Sequence, residues 1–207
     1  MSISPSPRET SALSLLFRLV ESALQLHDDD EAPVDLILSQ LNHYSIHFSD
    51  WKKYALFSPT HYTRNLVEMS DFVEFIVLCW NPQQESRVHD HDGSDCLMVV
   101  LQGEVVEKRF TITDETEVVG EKRKSSIVSP ALQPSLITTL TVGGGAVHIS
   151  DKKAYHSVGN YSTSPAVTLH IYSPPIRRVK LFDIETKEVS ERTPGFYSVN
   201  GRTTGKL

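Results

Sequence analysis

The segment Arg87-Val88-His89-Asp90-His91 carries two histidines one residue apart. On a β-strand alternate side chains point to the same face, so these two imidazoles would project together. A third imidazole from another strand would complete three corners of a metal site and leave the remaining positions open to a substrate. The same pair also arises by chance in a chain with 9 histidines, so the flanking sequence has to distinguish a ligand pair from two unrelated side chains.

The residues after the pair favour the metal site. The spacing is that of the first cupin motif, written here as His89-x-His91-x4-Cys96-x6-Gly103. In cupins a glutamate normally stands where this chain has Cys96. The exchange removes a charged fourth ligand and leaves a site of neutral imidazoles.

A second block downstream supplies the third imidazole. Gly145, His156 and Asn160 keep the spacing of the second cupin motif. The sequence therefore indicates a site built from His89, His91 and His156.

Composition limits the kinds of protein to consider. The chain has 207 residues, of which 39% are hydrophobic and 22% charged, as expected of one globular domain spanning residues 1–207. A net charge of −6 without a basic stripe argues against a nucleic-acid partner. No apolar run approaches the roughly 20 residues that a membrane helix needs. With only Cys79 and Cys96 there is no disulfide framework, which favours a reducing, cytoplasmic setting.

The first quarter of the chain has helical periodicity, in a region of about residues 10–50. Thr10 or Ser11 is a candidate N-cap for a first helix, and a second helix starts near Pro33. The apolar face of the first comprises Ala12, Leu15, Leu16, Leu19, Val20, Ala23 and Leu26, and that of the second Val34, Ile37, Leu38 and Leu41.

Short β-rich runs separated by turn residues dominate the remainder, within about residues 54–190. They cover residues 75–80, 96–101, 104–110, 135–141, 145–149, 167–172 and 179–183. Residues 113–134 have little periodicity and are expected to form a surface excursion between two strands. We therefore predict a mainly β fold: a cupin-type antiparallel β-barrel, or jelly roll, with N-terminal α-helices packed outside it.

Four separated motifs make the resemblance more specific. They are His89-Asp90-His91 with Cys96, His61-Tyr62-Thr63-Arg64-Asn65-Leu66-Val67, Cys79-Trp80, and Leu169-His170-Ile171-Tyr172-Ser173-Pro174-Pro175. In this order, over residues 54 to 183, the chain resembles a eukaryotic-type cysteine dioxygenase. The resemblance implies a monomeric non-haem iron(II) enzyme that adds both atoms of O2 to the sulfur of L-cysteine, giving cysteine sulfinic acid.

The resemblance also implies roles for particular residues. His89, His91 and His156 would hold iron(II), and Arg64 would pair with the substrate carboxylate, since guanidinium presents a planar fork to it. Tyr62 would add a hydroxyl on the same strand face, and Trp80 an apolar wall.

A second set of implied roles concerns the strand before the two prolines. Cys96 and Tyr172 would be joined by a thioether bond, and the Ser173–Pro174 bond would be cis. His170 and Thr168 would form a relay that orients the hydroxyl of Tyr172 towards substrate. Serine usually stands at position 168, so threonine keeps the hydroxyl but narrows its rotamers.

Two alternatives stay open at this point. The enzyme could prefer another small thiol, such as 3-mercaptopropionate or cysteamine. The chain could also be a non-catalytic cupin that binds a ligand in the same pocket.

Overall fold

A computed structural model of the protein describes residues 11–26, 33–113, 131–150 and 154–205. It begins with two α-helices, α1 (Ala12–Gln25) and α2 (Val34–His47), followed by a short 3-10 helix over Asp50–Tyr54. The N-cap of α1 is Ser11, whose side chain accepts a hydrogen bond from the backbone N–H of Ser14. The other candidate cap, Thr10, lies outside the described residues. None of the helices in these ranges has the length and apolar character needed to cross a bilayer.

The buried face of α1 matches the predicted one in part, since Leu16 and Val20 are buried and Ala12 and Ala23 pack against the same core. The residues that it buries are Leu13, Leu16, Phe17 and Val20, whereas Leu15, Leu19 and Leu26 are exposed. The helix is apolar around more than one face, so the sheet beneath it selects which face is covered. For α2 the prediction is confirmed, because Ile37 and Leu41 are buried and Val34 and Leu38 pack against the same core.

In the part of the chain that the structure describes, thirteen strands follow the helices. Their bounds are β1 Thr63–Met69, β2 Glu74–Trp80, β3 Val88–His89, β4 Asp95–Gln102, β5 Glu104–Thr113, β6 Ala131–Thr141, β7 Val147–Ile149, β8 Tyr155–Gly159, β9 Ala166–Ser173, β10 Val179–Phe182, β11 Val189–Arg192, β12 Ser198–Val199 and β13 Arg202–Thr203. A seven-stranded sheet has the order β13-β12-β1-β2-β9-β4-β7, and a six-stranded sheet the order β11-β10-β3-β8-β5-β6. Apart from the parallel β1–β12 pair, the paired strands are antiparallel.

Side chains alternate between the two faces of the central strands, so the core has two layers. On β2, Phe75 and Val77 pack with the helices, while Ile76 and Trp80 face the space between the two sheets. Both faces of this strand are buried, so its sequence is apolar nearly throughout. The mainly β cupin fold with helices outside the sheets is confirmed.

All seven predicted strands form, but the sheets contain more. The additional strands include β1, β3 and β8, which are short or carry buried polar residues and so lack an apolar pattern. The seven-stranded sheet also continues to Thr203, past the predicted limit at residue 190, because β12 pairs with β1. Of the predicted excursion, residues 131–134 belong to β6, and residues 114–130 lie outside the described residues.

One buried amide ties the loop after β8 to the end of β2. Asn160, which has no exposed surface, donates to the carbonyls of Trp80 and Ser164, 3.0 and 2.8 Å away. Its Oδ1 accepts from the backbone N–H and the hydroxyl of Ser162. This amide therefore uses all of its hydrogen-bonding capacity inside the fold.

Replacing Asn160 with alanine should lower the free energy of unfolding by about 2–3 kcal/mol, because the buried carbonyl of Trp80 loses this donor and the carbonyl of Ser164 loses one of its two donors. Urea denaturation measures this change as a lower midpoint. The matched control Ser162→Ala removes a hydroxyl that donates to Oδ1 of Asn160 and makes two exposed hydrogen bonds with Ser164, and it should cost less than ~1 kcal/mol. Equal midpoints for the two variants would contradict this account of Asn160.

Candidate metal centre

The predicted histidines meet between the two sheets. Antiparallel pairing of β3 with β8 puts His89 directly opposite His156, and His91 follows two residues after His89. The Nε2 atoms of His91 and His156 are 3.0 Å apart, and one ring nitrogen from each of the three side chains lies within 4.8 Å of the others. Within the described ranges this is the one group of three such side chains with metal-ligand spacing.

Spacing and protonation of the three imidazoles fit a metal ion. Two nitrogens each about 2.1 Å from one ion lie ~3.0 Å apart when their bonds meet near a right angle. Burial, and next the neighbouring His89, hold the pKa of His156 well below its usual range, so its ring is neutral and has a lone pair to donate. Three nitrogen donors without a fourth protein ligand are the pattern of a catalytic centre rather than a structural one.

A second layer of contacts orients two of these rings. Nδ1 of His89 lies 2.8 Å from the carbonyl oxygen of Arg87, and Nδ1 of His156 lies 2.9 Å from Oε1 of Glu107. Donation of the Nδ1–H in each case leaves the Nε2 lone pair for a metal. The carboxylate of Glu107 is itself buried and accepts from Arg109 at 3.1 Å, so its charge is paired.

Sequence reasoning missed Glu107. The available signal was an acid two residues after Val105, a spacing that puts both side chains on the same face of β5. An acid on an inward face needs a partner, and here that partner is a candidate metal ligand.

A cavity of about 300 Å³ opens beside His89. Tyr62, Arg64, His89 and Tyr172 line it together with the apolar side chains of Ile176, Val179 and Leu181, and its volume matches a small ligand. The Cζ atom of Arg64 is 5.7 Å from the ring centroid of Tyr172, which in turn is 5.8 Å from that of His91. The guanidinium of Arg64 and the phenol of Tyr172 are therefore neighbours in the cavity wall, and the buried ring of His91 lies next to that of Tyr172.

Arg64, which lines this cavity, has a buried donor that no side chain or backbone group satisfies among the described residues. Its Nη2 donates to Glu74, while its buried Nε–H has no hydrogen-bond partner among the described residues. Buried donors are nearly always satisfied in folded proteins. An acceptor supplied by a ligand would complete the hydrogen bonding of this guanidinium.

The three side chains of the predicted relay are within hydrogen-bonding distance of one another along β9. Nε2 of His170 is 3.0 Å from Oγ1 of Thr168, and Nδ1 of His170 is 3.2 Å from the hydroxyl of Tyr172. Burial, and secondarily the charge of Arg64, hold the pKa of His170 well below its usual range. The extra methyl of threonine is accommodated, since Thr168 also accepts a 2.9 Å hydrogen bond from the indole of Trp80.

Cys96 lies opposite Tyr172 in the pairing of β4 with β9. Side chains at such positions have Cβ atoms about 4.5–5.5 Å apart, close enough for sulfur and ring to touch. Burial raises the pKa of both the thiol and the phenol, which keeps both groups protonated. The peptide bond between Ser173 and Pro174 is cis, as predicted.

Trp80 has a different place from the one expected. It is not among the described residues that line the cavity; its ring stacks on Tyr62 with centroids 4.6 Å apart. Together with its hydrogen bond to Thr168, this contact supports two other site residues from behind. Tyr62 itself does line the cavity, and burial raises the pKa of its phenol.

The chain is similar in sequence to known proteins. Residues 5–185 match the family model described as Cysteine dioxygenase type I. The chain is 31% identical to cysteine dioxygenase type 1 of Danio rerio and 32% identical to that of Rattus norvegicus, in each case over 90% of this chain and 88% of the relative. A solved double-stranded β-helix protein from Klebsiella pneumoniae is 13% identical, with a TM-score of 0.43 over 72% of this chain and 97% of that one.

Exchanging Glu107 for alanine should weaken binding of a divalent metal by about 10- to 100-fold, because His156 loses the acceptor that orients its ring. Anaerobic calorimetric titration with Co²⁺ measures the affinity directly. Glu104→Gln, an exposed acid on the same strand, is the matched control and should leave the affinity unchanged. An unaltered affinity in the Glu107 variant would show that the carboxylate does not act through the ligand.

Proposed function

This chain belongs to the cysteine dioxygenase type I family, and we propose that it is an iron(II) enzyme that oxidises L-cysteine to cysteine sulfinic acid (3-sulfinoalanine). Both atoms of O2 enter the product, so the thiol becomes a sulfinic acid without another co-substrate. The observation that carries the proposal is the meeting of the histidine cluster, Arg64 and Tyr172 around one small cavity. The enzyme is proposed to act as a monomer in the cytoplasm.

His89, His91 and His156 would hold the iron. Bound there, iron(II) would supply a centre at which the thiolate of cysteine and O2 are brought together and react. The rings of His91 and His156 have no exposed surface, while His89 is partly exposed at the cavity, so substrate would approach from the side of His89.

Arg64 would bind the carboxylate of the substrate. Its buried Nε–H lacks an acceptor, and a carboxylate is the group that a guanidinium pairs with best. The ring of Tyr172, which lines the same cavity, is near both this guanidinium and the ring of His91. An amino acid held by its carboxylate at Arg64 would therefore extend its thiol towards the histidines.

Tyr172 would donate a hydrogen bond to the substrate side of the cavity. The indole N–H of Trp80 can only donate, so the hydroxyl oxygen of Thr168 accepts from it. The Thr168 hydroxyl can then donate its own hydrogen bond to Nε2 of His170. The proton of His170 then resides on Nδ1 and points at the oxygen of Tyr172. This direction leaves the phenolic O–H free to donate, and the raised pKa of Tyr172 keeps that proton in place.

Cys96 and Tyr172 are proposed to become linked by a thioether. The new bond between sulfur and the ring carbon beside the hydroxyl replaces one S–H and one C–H bond, and two electrons and two protons pass to dioxygen. Their position opposite each other on paired strands supports this step, because no backbone movement is needed to bring the side chains together.

The carboxylate contact also ranks the alternative substrates. Cysteamine has no carboxylate and would leave the Nε–H of Arg64 unsatisfied. 3-Mercaptopropionate retains the carboxylate and is therefore the second candidate. A non-catalytic cupin would bind these thiols without consuming O2.

Oxygen uptake by the iron(II)-loaded protein tests the reaction, with L-cysteine, 3-mercaptopropionate and cysteamine as substrates. We expect the highest kcat/KM with cysteine and sulfinate as the product. Arg64→Ala should raise KM for cysteine by about 30- to 150-fold, equivalent to about 2–3 kcal/mol, without loss of iron.

Arg64→Lys is the control for charge alone, because lysine keeps the positive charge but lacks the planar fork. Its KM for cysteine should lie between those of wild type and Arg64→Ala. Absence of sulfinate from any thiol would refute the dioxygenase proposal. Faster turnover of cysteamine than of cysteine would refute the substrate assignment.

Incubation with iron, oxygen and cysteine should split the band of the protein on a denaturing gel, because the linked chain is more compact when unfolded. Cys96→Ala should give a single band under the same conditions. A split band in that variant would exclude the proposed thioether as its cause.

A further inference from the structure

An acidic side chain that none of the roles above uses lies against Arg64. Glu74 is the first residue of β2 and is only 1% exposed. Its Oε1 accepts a hydrogen bond from Nη2 of Arg64 at 3.2 Å. On the neighbouring strand it stands opposite Tyr172, so it belongs to the wall that carries the phenol and the guanidinium.

Burying the carboxylate of Glu74 costs free energy of solvation, and nearby positive groups offset part of that cost. Desolvation raises the pKa of this carboxyl, and Arg64, Arg177 and the backbone N–H of Ile176 act in the opposite direction. A buried ion pair is weak evidence of stability, because apolar side chains of similar size often serve the fold as well. The other inward positions of β2, Ile76, Leu78 and Trp80, are apolar in this way.

The guanidinium needs something to fix its orientation. The Cζ atom of Arg64 lies 5.7 Å from the ring of Tyr172 and 5.9 Å from that of Phe196. Contacts with ring faces restrict where a guanidinium lies but not how it is turned in its own plane. The directional hydrogen bond to Glu74 supplies that missing restraint.

We propose that Glu74 is a positioning residue for substrate recognition, holding Arg64 so that its remaining N–H donors face the carboxylate of the substrate. The guanidinium has five N–H donors, and one of them is taken by Glu74. The buried Nε–H is among those left for a ligand. This inference rests on the proposed function, in which Arg64 binds that carboxylate.

A role in positioning differs from a role in balancing charge. If Glu74 only neutralised Arg64, removing its charge would strengthen attraction of an anionic substrate and lower KM. If it orients Arg64 through its oxygen, Glu74→Gln retains an acceptor and changes KM little, whereas Glu74→Ala raises it.

The test compares steady-state oxidation of L-cysteine by iron-loaded wild type, Glu74→Ala, Glu74→Gln, Arg64→Ala and the double variant Arg64→Ala/Glu74→Ala. Glu74→Ala should raise KM about tenfold with kcat within about threefold, since a displaced Arg64 weakens binding without touching the reacting atoms. Glu74→Gln should stay within about threefold of wild type in KM. Anaerobic calorimetric titration with cysteine gives the same ranking as a binding constant, independent of turnover.

The double variant separates positioning from general damage to the fold. A residue that acts through Arg64 has no further effect once Arg64 is gone, so the double variant should have the KM of Arg64→Ala. Oxidation of cysteamine, which has no carboxylate, should be the same in Glu74→Ala as in wild type. Glu68→Ala, an exposed acid on the adjacent strand β1, is the matched control and should behave as wild type.

Two outcomes would overturn the inference. One is an unchanged or lowered KM in Glu74→Ala. The other is a tenfold rise in KM when Glu74→Ala is added to the Arg64→Ala variant. If Glu74→Ala fails to fold, Glu74→Asp takes its place: it keeps the charge but draws the carboxylate back by one methylene, and its KM should rise. A wild-type protein that oxidises no cysteine, or an Arg64→Ala variant with normal KM, would instead refute the proposed function.

Discussion

The site depends on the pairing of β3 with β8, which sets His89 opposite His156. Side chains alternate along a strand, so a slip of one residue in this register would turn one imidazole out of the space between the sheets. β3 is only two residues long, and the strands on its two sides must therefore hold it in register. His91 lies past the end of β3, and the hydrogen bond from the backbone N–H of Asp90 to the carbonyl of Lys180 helps to hold this segment beside β10.

Two buried acids of the described residues each meet a basic partner. Glu107 lies between His156 and Arg109, and Glu74 receives a hydrogen bond from Arg64. Each carboxylate would be expensive to bury alone, so its partner has to be present whenever the fold is formed. Both acids therefore hold a functional side chain in one orientation, the first a candidate metal ligand and the second a candidate carboxylate receptor.

The fold was accessible from the sequence wherever its pattern was local. Apolar runs with turn residues between them located the seven strands that were predicted, and helical spacing located α1 and α2. The apolar runs did not locate β1, because Arg64 and Asn65 interrupt its apolar pattern. Both side chains have partners in the fold: Arg64 donates to Glu74, and Asn65 donates to Thr63 and accepts from Ser198. The pairing of β12 with β1 was equally inaccessible, since it joins segments more than a hundred residues apart.

The sequence by itself determined the identity of the three imidazoles, because strand periodicity and motif spacing are local properties of the chain. It also identified Arg64, Tyr172 and Cys96 as candidates, through motifs that resemble a known family. Tertiary structure decided what surrounds them: that Trp80 supports Tyr62 from behind, that Glu107 orients His156, and that Glu74 holds Arg64. These contacts join different strands, and a sequence carries no local signal for the partner of a buried charge, which is set by the register and packing of the two sheets.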